Sequence, residues 1–517
     1  MAPPPPSITR RGVFGLAAAA SIGAAPRVAG AAPQGELRIA SHVSLAPTWF
    51  DPAETAGIIT PFMMLYAMHD AMLKAMPTDQ MAPCLAESCT MAPDGLSYAF
   101  TLRKGVLFHN GEALTAEDVK FSLERYRGSS SKTLKERVTG VDIHDQHRLT
   151  IRLNEPWPDF LTFYAGATGA GWIVPRKYVQ QVGEDGFKKA PVGAGPYKFV
   201  SFTPGVELVC EAFEGYWRKP PAVKRLVFKV VPDEATRLAA LQRSEVDIAY
   251  SIRGELADEL TRTPGLAIKA AVGSATFWLY FADQWDAQSP WHDHRVRLAT
   301  NLALDHKTIN QALTLGYSRL TNSVFPENFD FYWQPPAPVY DAPRARKLLA
   351  EAGHPRGFDA GDYYCDTSYA NIAEVVLNNL REVGIRVKLR PLERAAFFKA
   401  YSERKLKNIV QGASGAFGNC ATRAEAFVVK GGTYVYGSYP DIDALFAEQA
   451  VEMDGAKRKA ILHRLQQLVQ DKAIFAPIWQ QAFISGIGAK VGQSGFGLIK
   501  GFPYTAPYED LTLKGKA

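Results

Sequence analysis

Apolar residues change their rhythm along this chain, and the change divides it. Residues 35–43 alternate enough to read as a strand, and 44–54 follow as a loop with a proline on each side of Trp49 and Phe50. Residues 62–75 are apolar and methionine-rich and predict a helix. Residues 97–105 and 147–156 read as paired strands bracketing a helix that begins at Thr115. There Thr115 and Asp118 stand at the capping-box positions, and Val119, Leu123 and Tyr126 share one face. Strand-rich sequence resumes at 191–199 and runs through 206–213 and 225–232. A helix and the short buried strand Asp247–Tyr250 end it.

From about Trp291 helices and strands alternate. Helices are expected at 296–304 and 341–352, a strand at 361–366, and a helix carrying Ile372, Val375, Val376, Leu380 and Val383 on one stripe. A strand with Val387 and Leu389, a helix over 393–403 and a strand at 408–412 complete a βαβαβ pattern, which predicts a parallel sheet covered by helices. Ligands meet such sheets at loops beyond the carboxyl ends of the strands, here after Cys365-Asp366 and Ala413-Ser414. A late helix buries Ile461, Leu462, Leu465, Leu468 and Val469.

The N-terminus changes the picture of where the chain works. Arg10-Arg11, an alanine-rich apolar run to Ala25 and the small exit Ala29-Gly30-Ala31 have the order of an export leader, with cleavage expected after Ala31. Phe14 stands one place further from the arginines than the twin-arginine pattern usually has its first large apolar residue, so that route and the general secretory route both stay open. No later stretch approaches the ~20 apolar residues of a spanning helix, and the first cysteine, Cys84, is far from the leader, so a soluble periplasmic protein without a lipid anchor is expected.

The full chain has 517 residues, 58 basic and 52 acidic. The leader takes three arginines and no acid with it, which brings the remainder near balance and gives no footprint for nucleic acid. The length calls for more than one core. Five scattered cysteines make neither a disulfide framework nor a zinc site, and Cys84 and Cys89 are expected near a helix end and unpaired. His292-Asp293-His294 and His109 read as turns; no metal or other cofactor is expected. GxSxG, HExxH, Walker and CxxC signatures are absent, so no catalytic residue is assigned.

The stretch 102–125, LRKGVLFHNGEALTAEDVKFSLER, resembles the signature of extracytoplasmic solute-binding proteins of family 5, the peptide- and nickel-binding class that serves ABC importers. The likeness extends over 191–199, 214–248, 296–309 and 340–353, nearly the whole exported chain. It implies an α/β, two-lobed periplasmic binding protein fold of the hinge-closing class II, with an extra α/β subdomain inserted in the first lobe. Lobe one would comprise residues 33–57, 172–281 and 484–517, the insert 58–171 and lobe two 282–483. A solute touching both lobes would favour the closed form, and the partners would be ABC permease subunits with a separate ATPase. A monomer is expected.

The resemblance also frames the ligand. Peptide-binding members hold the ligand's ammonium with an aspartate in a Trp-x-x-Asp segment. Here the corresponding stretch, 415–427, puts Phe417 near the tryptophan and Asn419 or Cys420 near the aspartate, with no carboxylate before Glu425. An unpaired buried ammonium costs several kcal/mol, which argues against the usual peptide pose. Gly171 and Trp172 stand where nickel-binding members have an arginine. The expected ligand-binding set is Trp49, Phe50, Tyr250, Phe417 and Asn419, with Arg253 and Arg423 as anion anchors and Cys365 and Cys420 at the strand ends, for a neutral or anionic organic solute. The two thiols either meet at the cleft or behave as independent small apolar residues, the plainer expectation. A periplasmic sensor, or an enzyme with Cys420 as nucleophile, are the alternatives.

Overall fold

The computed structural model describes residues 32–54, 61–128, 130–165 and 169–515. The expected export leader, residues 1–31, lies outside them.

Among the described residues, ten strands form one mixed sheet. One end is Ile385–Leu392, Phe358–Asp366 and Ile409–Ser414, with the central strand parallel to both neighbours. Helices Ala370–Glu382 and Arg394–Ser402 make the crossovers, as the alternating pattern requires. Gln34–Ser41 runs parallel to both Val223–Val230 and Ile248–Ala249 in the other half, where the antiparallel strands Glu207–Ala212 and Tyr197–Thr203 close the far edge. Two long antiparallel strands, Ala267–Phe281 and Phe475–Ile487, join the halves, and their register shifts between Val272 and Thr276. A bulge bends the strand that carries it.

A separate four-stranded sheet contains Ser97–Leu102 paired antiparallel with Arg148–Leu153. Helix Ala116–Arg125 packs on it, and the Thr115 amide donates to the Asp118 carboxylate at 2.9 Å, completing the capping box. Cys89 lies within the edge strand Ala86–Met91 and Cys84 two residues before it, so no helix end separates them; an edge strand with most of its side chains exposed suits AESCTM better. All five cysteines are free thiols. His292 and Asp293 occupy the turn expected of them, with Asp293 capping helix His294–Ala303.

The methionine-rich helix is shorter than its composition suggests. Pro61–Met68 is buried along its whole length, and then the helix stops. The Met68 carbonyl accepts from the Gly195 amide at 3.1 Å, and the Met72 amide turns to the Gly171 carbonyl, so the ladder has no continuation. His109 seals the same junction: its Nε2 donates to the Gly195 carbonyl at 2.9 Å and its Nδ1 accepts from the Gly193 amide at 3.3 Å. Desolvation pushes its pKa down to about 3, keeping the ring neutral. Two stretches that carry the family likeness, around His109 and Gly195, thus support one another. A Cβ on Gly195 would come within 2.5 Å of the Met68 carbonyl carbon and 2.6 Å of the His69 amide nitrogen. Gly195→Ala is therefore expected to lower stability by ~1–3 kcal/mol through overpacking; an unchanged denaturant midpoint would contradict this contact.

Candidate functional site

Strand Ile409–Ser414 delivers the chain to a loop, and helix Cys420–Phe427 begins immediately after it. Asn419 is the cap: its side-chain Oδ1 accepts from the Thr422 amide at 3.0 Å, while its backbone N–H donates to the Thr422 hydroxyl. The rest of its side chain is free to reach outward. Nδ2 donates to the Asp159 carboxylate at 2.5 Å, and Arg458 Nη2 meets the other carboxylate oxygen at 2.6 Å. Gln449 Oε1 accepts from Arg458 Nε and Nη2, and the guanidinium lies 5.0 Å from the centre of the Phe331 ring.

Aromatic rings meet beside this polar tie. Phe417 stacks on Phe502 at 4.1 Å with an interplanar angle of 10° and presents an edge to Phe62 at 6.1 Å. A residual cavity of about 30 Å³ remains there, lined by Met81, Thr162, Phe329, Asp330, Phe417 and Phe502 among others. That is room for one or two water-sized groups. Asp330 also lines it; the residue is exposed, its backbone carbonyl accepts from the Cys420 amide, and its carboxylate has no hydrogen-bond or ion-pair partner among the described residues. Desolvation first, then Asp79 and Asp159, raise its pKa above the ordinary carboxylate value.

The expected site residues do not form one cluster. Phe417 and Asn419 lie together just before helix Cys420–Phe427, one against Phe502 and Phe62 and the other bonded to Asp159. Phe50 and Tyr250 are fully buried in one core: Phe50 packs edge-on to Phe202 at 5.0 Å and Tyr250 lies near Phe483 and Phe496, with Trp49 half-buried at the border of that core. Cys365 and Cys420 belong to different cores. Burial pushes the Cys365 thiol up to about 12 and raises Cys420 further, against the pull of Arg423. Cys420 Sγ faces Gln466 Oε1 at 3.8 Å. A thiol held so far from ionisation is a poor nucleophile.

Neither expected anion anchor offers free donors to the cavity. Arg253 is largely exposed and pairs with Glu234 at 2.6 Å. Arg423 is buried, donating to Thr276 Oγ1 at 2.7 Å and to the carbonyls of Val324 and Ser414 at 2.8 and 3.1 Å, with the rings of Phe329, Trp278 and Phe427 around it. Desolvation lowers its pKa to about 9. From helix Cys420–Phe427 it ties together two adjacent interior strands, Ala267–Phe281 and Ile409–Ser414, and the loop at Val324. Trp172 likewise packs between Tyr66 and Phe62 in the core.

Sequence reasoning missed Asp159, Arg458, Asp330 and Phe502. Asp159 showed only as a residue after a proline, and Arg458 as one of several charges on a long helix. Among the described residues, no group of three or more His, Cys, Asp or Glu is placed to hold a metal, and no helix is long and apolar enough to cross a membrane.

Residues 80–434 match the family described as "Bacterial extracellular solute-binding proteins, family 5 Middle". The glutathione-binding protein GsiB of Pectobacterium atrosepticum is 29% identical over 316 residues, which cover 60% of this chain and 60% of that protein. The chain thus spans about three fifths of the length of the glutathione-binding relatives it matches. A probable di/tripeptide-binding protein 5 of Pseudomonas aeruginosa is 26% identical over 430 residues, 77% of this chain and 81% of that one. The crystal structure of NikA from Brucella suis in complex with Fe(III)-EDTA superposes with a TM-score of 0.80 at 21% identity, over 93% of this chain and 100% of that one. The two-lobed α/β architecture is shared with it.

Proposed function

The chain belongs to the bacterial extracellular solute-binding proteins of family 5, and from that premise we propose that it is the substrate-binding component of an ABC importer in the periplasm. It captures a small organic solute, a peptide or a related compound, between two lobes and delivers it to a permease driven by a separate ATPase. The observation that carries this reading is the meeting of two faces at Phe417, Asn419 and Asp159, with a cavity left between them. Contacts that exist only when both faces are together make closure dependent on what fills the space between them. The bulge between Val272 and Thr276, in the strands that join the two halves of the sheet, is our choice of hinge.

Asp330 favours a solute with a positively charged or hydrogen-bond-donating group, since an anion would meet an unpaired carboxylate flanked by Asp79 and Asp159. Arg423 is spent on Thr276 and the carbonyls of Val324 and Ser414, and neither it nor Arg253 lines the cavity, so the anionic alternative loses its support. Phe417 would then contribute apolar contact: Phe417→Ala is expected to weaken solute binding about tenfold, on the scale of ~0.5–1.5 kcal/mol for an aromatic pair plus lost burial, with little change in melting temperature. Unaltered affinity would remove Phe417 from the site.

The deciding experiment is native mass spectrometry of the protein exported in its host and purified without denaturation, because a ligand that favours the closed form is retained. A small organic mass released on denaturation is expected, neutral or cationic. An anionic solute would refute the charge assignment at Asp330, and a protein that takes up no solute from a periplasmic extract would refute the binding role.

A further inference from the structure

Side chains as well as backbone hold the bulge between Val272 and Thr276. Gln480, on strand Phe475–Ile487, is buried and spends its whole amide there. Its Nε2 donates to the Gly273 carbonyl at 2.7 Å and to Asn328 Oδ1 at 3.0 Å, while Oε1 accepts from the Glu327 amide at 3.1 Å. A backbone carbonyl on one side and a backbone N–H on the other fix which way this amide faces. Asn328 must then turn its oxygen to Gln480 and its nitrogen to Ser274, whose Oγ accepts from Nδ2 at 2.9 Å. The one hydroxyl proton of the buried Ser274 goes to the Gly501 carbonyl at 3.2 Å. The chain of donors therefore runs in one direction, from Gln480 to Gly501.

Two residues of this chain stand at the root of the cavity beside Phe417. Asn328 is followed by Phe329 and Asp330, and Gly501 by Phe502; all three followers line that cavity, and none of Gln480, Asn328 and Ser274 does. Phe329 belongs to the core beneath helix Cys420–Phe427, whereas Phe502 belongs to the core that holds Phe50 and Tyr250. The polar chain thus crosses from one core to the other where two walls of the cavity begin. The approach is close: Gly501 pairs with Gly273, and a Cβ on Gly501 would lie 2.2 Å from Asn328 Nδ2. With φ at +77° as well, the position requires glycine.

We propose that Gln480, Asn328 and Ser274 are positioning residues for solute binding, which couple the bulge to the spacing between Phe502 and the Phe329–Asp330 wall. The role rests on the hinge-closing reading above. When the bulge flexes, Gly273 and Ser274 move with it, and the Gly501 carbonyl follows the Ser274 hydroxyl. Hinge angle and cavity width then change together. A buried network in which every amide is satisfied is rigid, and leaving it half-made is costly, so the coupling persists only while each link is present.

The test uses Asn328→Asp, which keeps the shape of the side chain and removes its donor. Ser274 then turns its one proton to the carboxylate, and the Gly501 carbonyl loses its partner. Ser274→Ala cuts the same link by deletion and serves if the first variant does not fold. In the full exported chain without solute, amide hydrogen exchange over 499–504 is expected to quicken roughly threefold or more in both variants. Solute retained from a periplasmic extract of the host, read by native mass spectrometry, should fall about tenfold, with the melting temperature close to that of the parent. Unchanged exchange over 499–504, or quicker exchange with parental retention, would overturn the role. So would a loss of retention that comes only with a large fall in melting temperature, since the cluster would then be a plain packing element. A parent chain that retains nothing would strike the binding reading and this role with it, a failure told from the others because the parent shares it.

Discussion

Replacing Asp70 with alanine is expected to lower the unfolding free energy by about 3–5 kcal/mol, the range for stripping one partner from a buried ion pair. Asp70 and Lys74 are 0% and 2% exposed and meet at 2.6 Å. The second carboxylate oxygen accepts from Tyr216 OH at 3.0 Å and Trp217 Nε1 at 2.7 Å, so one side chain satisfies three donors. Lys74 also faces the rings of Tyr66 and Trp172. Without Asp70 the ammonium is left in the core beside Glu509, which is already paired with Arg218. The double change Asp70→Leu with Lys74→Met removes both charges and is expected to recover most of the loss. Equal destabilisation in the single and double variants by urea unfolding would show that packing, rather than the unpaired charge, dominates.

The sequence made the local features of the fold legible and left its long-range pairings hidden. Thr115 and Asp118 announce a helix start because a capping box acts over three residues. The parallel strands from Phe358 to Ser414 follow from alternation of two periods, which is again local. The apolar run 62–75 overstates the helix, Pro61–Met68, because what meets its end, Gly195, lies far along the chain. The same limit governs the candidate site. Phe417 and Asn419 are named from the family resemblance, which sets them in the stretch corresponding to the Trp-x-x-Asp segment; the cap that Asn419 forms is not read from the sequence. Phe50 and Tyr250 are aromatics beside expected loops, yet aromatic residues are as readily consumed by a core, and burial cannot be read from composition. Asp159 and Arg458 are 299 residues apart, and no spacing rule joins them.

That pair gives the second large effect. Arg458→Met keeps an apolar stem against Phe331 and removes the guanidinium, leaving Asp159 with Asn419 alone and Gln449 Oε1 with no donor. The side chains of Arg458 and Asp159 are 4% and 14% exposed, so salt screens the pair little and the loss is expected near the low end of ~3–5 kcal/mol. If the pair forms only with the two faces together, the whole of that loss falls on closure. Solute affinity should then drop by two orders of magnitude, at ~1.4 kcal/mol per factor of ten, while each face keeps its own core and the melting temperature of the solute-free protein moves little. Small-angle scattering without solute should show a larger radius of gyration than the parent chain. A large fall in melting temperature with unchanged affinity would instead make the pair a fixed element of the fold, and the proposed hinge at Val272–Thr276 would lose its reason, since nothing across the faces would break when the bulge flexed.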